Sequence, residues 1–270
     1  MTTTLPAGGS RRRPLTALAK AEWLQFRRNK TLVYMATVFP IGLPLATFFI
    51  AGKDTEPTTA MAAVTFELLA VLALLFVQYY SVLSMVTTRR SEGVLKRLRI
   101  GEAADWQIQL APAIPGAVMT VACTAVVAVV VYGSGAPAPV NPLAIVLALV
   151  GGTVLFTLLA LATSAYTKNA EAAQITSLPV MVIAMLGMAS IRGFLPDRLA
   201  QVAEWTPFAA VSDLISLGTM GKLSATAESD AALSFADTVT QAGRPFATLA
   251  LWTVLALVLT RKSFRWDDRG

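Results

Sequence analysis

The side chains that could do chemistry here are few and unevenly placed. Glu67 is a carboxylate inside a long apolar run. An ionisable group within a membrane segment is expensive and by default points to function. Its position seven residues after Ala60 also fits the outer end of a tilted span, within reach of water. Gln78 and Tyr79, with Tyr80, can line a polar path or bond to neighbouring helices. The densest charge lies at Thr88-Arg89-Arg90-Ser91-Glu92-Gly93-Val94-Leu95-Lys96-Arg97-Leu98-Arg99, with five basic residues against one carboxylate. Read as a helix, it gathers Val94, Leu95 and Leu98 on one face and the basic residues on the other. That pattern suits a short helix at a membrane surface, charges in water, or a plain positive-inside loop.

Other chemistries lack their residues. There is no histidine, which removes imidazole acid–base work and His metal sites. The one cysteine, Cys123, cannot form an intrachain disulfide. No G-x-x-x-x-G-K-S/T run, Cys/His metal spacing or G-x-S-x-G elbow occurs. The chain thus has no visible means of hydrolysing ATP, and uphill transport would draw on a partner or an ion gradient.

The surrounding elements belong to a membrane protein. Of 270 residues, 55% are hydrophobic and only 14% charged, with a mean hydropathy of +0.62. Soluble domains carry about 25% charged residues. The net charge of +6 does not imply nucleic acid, because the basic residues cluster at the ends of apolar spans. Residues 1–10 read as disordered, and the Arg11–Arg13 run is not followed by the apolar core of a signal peptide. Pro14 to Lys30 reads as an amphipathic interfacial helix, with Trp23 at headgroup level, Phe26 on the apolar face and Arg27 and Arg28 among the basic residues. Glu22 interrupts the apolar face.

Six spans follow: 32–51, with a kink or wide turn expected at Pro40 and Pro44; 60–86; 111–132; 143–166; 172–191; and 246–260, which is short. Short helices divided by Pro207 are expected in the outer connection between spans five and six. The expected fold is an all-α membrane protein. Its parts are a tail and interfacial helix at 1–30, a six-span domain at 31–262 and a second tail at 263–270. Seventeen lysines and arginines fall on one side of this layout and five on the other, which puts both termini in the cytoplasm.

The segment Glu92-Gly93-x-Leu95-Lys96-Arg97-Leu98-Arg99 directly after span two, with the basic N-terminal helix, the six spans and the long outer connection, resembles the ABC-2 type permeases, the membrane subunits of ATP-driven exporters. The look is nearest the bacterial drug-resistance or antibiotic-export branch. Gly101-Glu102 stands where many members have a proline, and Met188 to Pro196 replaces a Ser-Gly-then-Pro pattern. The resemblance implies a multi-pass protein of the bacterial plasma membrane, two permease copies in a homodimer, and two separate ABC ATPase subunits that carry ATP and magnesium. The cofactors therefore lie outside this chain, which is not itself an enzyme. It also implies that the N-terminal helix and Glu92, Gly93, Leu95, Lys96, Arg97 and Arg99 contact the ATPase, while an amphiphilic small molecule passes between permeases or enters from membrane lipid. Glu67, Gln78 and Tyr79 are candidates for that path. An ion-coupled transporter using Glu67, or an exporter of lipid or polysaccharide, is the alternative.

Overall fold

The computed structural model describes residues 14–101, 103–224 and 231–267. The Arg11–Arg13 run, Glu102 and the last residues of the tail at 263–270 lie outside them. The described residues form helices and no strand.

Helix α1 (Pro14–Arg28) ends at Asn29, whose Oδ1 accepts the Leu32 N–H at 3.0 Å and so starts α2 (Lys30–Ala51). Helix α2 runs without interruption through Pro40 and Pro44, so the chain makes no wide turn there. In lipid an opened backbone has no water to bond, so the chain holds the helix despite two missing donors. Many α2 side chains, Tyr34, Phe39 and Ile50 among them, face outward.

Helix α3 (Thr59–Ser91) is the central element, 33 residues long. At 1.5 Å per residue it reaches about 50 Å, well beyond a hydrocarbon core of about 30 Å. Its middle, Ala73–Tyr80, is a π-helical stretch. There α6 (Ala113–Gly133) approaches closely, and Gly116 makes this possible, since a Cβ at that position would lie 2.9 Å from the Val77 carbonyl oxygen. Leu69, Leu74, Leu75, Tyr79 and Leu83 of α3 are fully buried against α6, α7 (Pro142–Ser164) and their neighbours. Two short helices, α4 (Val94–Ile100) and α5 (Asp105–Leu110), join α3 to α6.

The second half departs most from the expected layout. The segment expected as span five is the 17-residue apolar helix α8 (Ala170–Leu186), followed by extended Met188 and a single turn, α9 (Ala189–Arg192). The helix ends at Gly187, which packs so closely against Thr206 and Ala209 that a side chain there would not fit. Five helices are long and apolar enough to cross a membrane among the described residues, and α8 is shorter. Pro207 does divide two helices, α10 (Asp197–Ala203) and α11 (Pro207–Met220), but α11 is not surface structure. It is buried from Pro207 to Thr219 between α3, α7 and the last helix. A helix apolar on nearly every face has to be enclosed, and its few polar groups are partnered by buried groups described below. The last span is longer than expected: after α12 (Phe235–Gln241), α13 (Gly243–Ser263) has 21 residues. Its final turn carries Arg261 and Lys262, which suit a helix C-terminus.

Candidate coupling surface and lateral groove

At the basic end of the bundle, two adjacent arginines bind in different directions. Both terminal nitrogens of Arg89 donate to the Glu22 carboxylate of α1, and Nη2 also donates to Gln25 Oε1 at 3.2 Å. Glu22 breaks the apolar stripe of α1 because its partner comes from α3. Arg90 is buried and turns to the end of α7, where Nη1 donates to the Ser164 carbonyl at 2.6 Å and Nη2 to the Thr167 carbonyl. The Ser164 carbonyl is in the last turn of α7, where the helix dipole favours a cation, and Thr167 lies just beyond that turn. Neither arginine is therefore a free charge in water, as the surface-helix reading expects. Lys96, Arg97 and Arg99 are exposed.

Gly93 makes the turn from α3 into α4 at φ +67°, the left-handed region that favours glycine. The Gly93 N–H donates to the Arg90 carbonyl at 3.0 Å. Helix α4 begins at Val94, so Glu92 sits at the junction and not within the helix. Leu95 is buried and Leu98 packs beside it, as the sequence pattern predicts. Ile100 is 82% exposed at the tip of α4, an apolar residue among cations. Arg99 is held from two sides, by Asp105 at 3.2 Å and by the Trp266 ring 4.7 Å away. The C-terminal tail thus folds back onto this surface.

On α1, Trp23 stacks on Phe26 with ring centroids 5.8 Å apart, and both pack toward Ala36 of α2 and Val77 of α3. Arg27 and Arg28 are exposed at the helix end. Between α1, α2 and α3 runs a groove of ≈ 660 Å³, from Gln25, Arg89 and Glu92 at the basic end to Leu43 and Phe76 in the apolar middle.

None of Glu67, Gln78 and Tyr79 lines that groove. Gln78 is fully buried, and its Nε2 donates to Thr157 Oγ1 at 2.7 Å and to the Ala113 carbonyl at 3.2 Å. Tyr79 donates to Thr163 Oγ1 at 3.2 Å. Glu67 is not at a water-facing end. It is buried, accepting from the Ala189 N–H at 2.6 Å and from the Ser212 hydroxyl. Arg192 lies next to it, paired with Asp213 at 2.6 Å. This cluster ties α3, α9 and α11 together opposite the basic end. Tertiary folding brought α9 and α11 inward, so two further charges, Arg192 and Asp213, meet the carboxylate.

The sequence model of the ABC-2 type transporter family matches residues 13–208, nearly three quarters of the chain. The chain belongs to that family. Among curated proteins nothing matches it. The match covers α1 through the first residues of α11, and so includes the candidate coupling surface, the groove and Glu67. An ABC-2 permease is the multi-pass membrane component of a transporter, and permeases of this family generally partner with ABC ATPases. In this ABC-2 permease the structure brings Trp23, Phe26, Glu92, Gly93, Leu95, Lys96, Arg97 and Arg99 to one end. The sequence reading gave Glu22, Arg89 and Arg90 no individual roles. The signal for Glu22 was visible, an acid on an apolar face, but its partner lies 67 residues away.

Proposed function

We propose that this ABC-2 permease is the membrane half of an ATP-driven exporter in a bacterial plasma membrane. It works as a homodimer with two separate ATPase subunits, which carry ATP and magnesium. Both termini and α4 face the cytoplasm, following the positive-inside asymmetry. The observation that carries the reading is the fixed geometry at the basic end. Helix α4 presents Lys96, Arg97 and Ile100 outward, while Leu95 anchors it and Arg89 and Arg90 bind the adjoining end of α3 to α1 and α7. A partner pressing on α4 therefore moves three helices as a body. The cargo is a hydrophobic or amphiphilic small molecule, a reading supported by the apolar groove on the flank of the bundle.

The test is purification of the tagged permease from native membranes, with ATP turnover measured on the product. An ATP-hydrolysing subunit is expected to co-purify. Lys96→Glu with Arg97→Glu should release it while the permease stays monodisperse. Retention of the ATPase by that double variant would remove α4 from the interface, and absence of any ATPase from the wild-type preparation would remove the exporter reading. Labelling of a Ser91→Cys variant from outside intact cells would reverse the orientation.

A further inference from the structure

The groove between α1, α2 and α3 has an electrostatic character that its position at the basic end conceals. Its wall includes two charged residues, Arg89 and Glu92. The charge of Arg89 is met by Glu22, to which it gives two hydrogen bonds. The Glu92 carboxylate has neither a hydrogen bond nor an ion pair among the described residues. Arg97 donates to the Glu92 backbone carbonyl at 3.1 Å, but Arg97 is exposed on α4 and is not part of the groove wall. Glu22, Arg89 and Glu92 together leave one uncompensated negative charge at the groove mouth. Arg27, Arg28 and Lys96 do not line it.

Deeper in, the wall is apolar and aromatic. Phe39 and Phe76 are 48% and 54% exposed, and Leu43 and Leu72 close the far end. From Glu92 back to Leu72 along α3 is about 30 Å at 1.5 Å per residue, long enough for an extended alkyl chain. A carboxylate at one end and open phenyl faces along the way are the two groups that attract a cation with an apolar body.

We propose that this groove binds a single-chain cationic amphiphile, its positive head at Glu92 and its chain along Phe76 and Phe39 toward Leu43. This names a cargo class and an entry site for the exporter reading, and it rests on that reading only for what happens to the molecule after it binds. Within the groove wall Glu92 favours a cationic head over a neutral one, while the exposed cations outside the wall draw anionic lipid to the surrounding surface and not into the groove.

The test needs no ATPase, so a failed partner search does not affect it. The full chain in zwitterionic nanodiscs is exposed to three photoreactive probes with the same alkyl diazirine chain and a trimethylammonium, maltoside or sulfonate head. Labelled residues are then mapped by mass spectrometry. The trimethylammonium probe should label groove positions about fivefold more than the other two, the scale of one half-exposed charge pair with aromatic help. Glu92→Gln should bring the three probes level, while Phe76→Ala should lower labelling by all of them. Equal labelling by all heads in the wild type, or a cationic preference that survives Glu92→Gln, overturns the proposal. So does efficient cross-linking of a Phe76→Cys variant to a second copy without groove labelling, which would make the groove a contact between permeases.

Discussion

The pair between Glu22 and Arg89 offers the sharpest test of how α1 is attached. The Glu22 side chain is 2% exposed and that of Arg89 12%, so water hardly screens the pair. Exposed ion pairs contribute about 0.2–1 kcal/mol. Removing one partner of a buried pair costs about 3–5 kcal/mol, because the other charge is left without compensation. Arg89 keeps its bond to Gln25 and has some access to water, which favours the lower figure. Glu22→Ala should therefore weaken the docking of α1 by about 3 kcal/mol, a factor of about 150 in the opening equilibrium. Hydrogen exchange in nanodiscs reads this directly: the α1 amides should exchange far faster, with α7 unaffected. Neutralising both ends, Glu22→Leu with Arg89→Met, should recover most of the protection, because no buried charge is then left alone. Unchanged α1 exchange in Glu22→Ala would refute the claim that this pair holds the helix. Failure of the double variant to recover would assign the effect to lost packing instead.

Three further expectations concern positions elsewhere. Gly93→Ala should cost about 1–2 kcal/mol, since φ is +67° and nothing lies within 4 Å of the new methyl, so the penalty is purely backbone; thermal unfolding in detergent checks it, and Gly93→Asn should be milder. Gly116→Ala should lower folded yield on size-exclusion chromatography, because its Cβ would meet the Val77 carbonyl at 2.9 Å; normal yield would mean the π-helical stretch can move aside. Arg192→Ala should destabilise by about 3–5 kcal/mol, leaving Glu67 and Asp213 facing each other without a cation, whereas Asp213→Asn, which keeps Arg192 beside Glu67, should cost less in the same melting assay.

The fold class was legible because a membrane imposes a coarse code: apolar runs of about 20 residues bounded by charge. The α4 face was legible for a similar reason, since Leu95 and Leu98 obey local helical spacing. Helix α11 was not. Its sequence, with Ser212, Asp213 and Ser216 among apolar residues, reads as a short helix of the outer connection, and only tertiary folding supplies Glu67, Arg192 and the Lys222 carbonyl as partners for those groups. The end of α8 was hidden too, because the need for glycine at 187 appears only when Thr206 and Ala209 are seen to pack against it. At Pro40 and Pro44 the helix simply continues: proline weakens a helix in water, but in lipid an opened backbone is worse.

Arg89 and Arg90 show most clearly where local reading stops. In sequence they are two adjacent cations after an apolar run, and the positive-inside rule accounts for both. Successive residues on a helix point about 100° apart, so the pair cannot serve the same neighbour. One takes Glu22 on α1, and the other takes the Ser164 carbonyl at the end of α7 and the Thr167 carbonyl just beyond it. Gly93 then turns the chain into α4 only three residues further on. The end of α3 is thus fixed on two sides immediately before the turn, with only Ser91, Glu92 and Gly93 between the clamp and α4. If α4 is the proposed docking helix, a displacement applied to it is delivered next to the contacts with α1 and α7. Helices α1 and α3 also form walls of the groove. In the proposed exporter, that shared wall is the route by which ATP turnover on a partner would reach an amphiphile bound at Glu92.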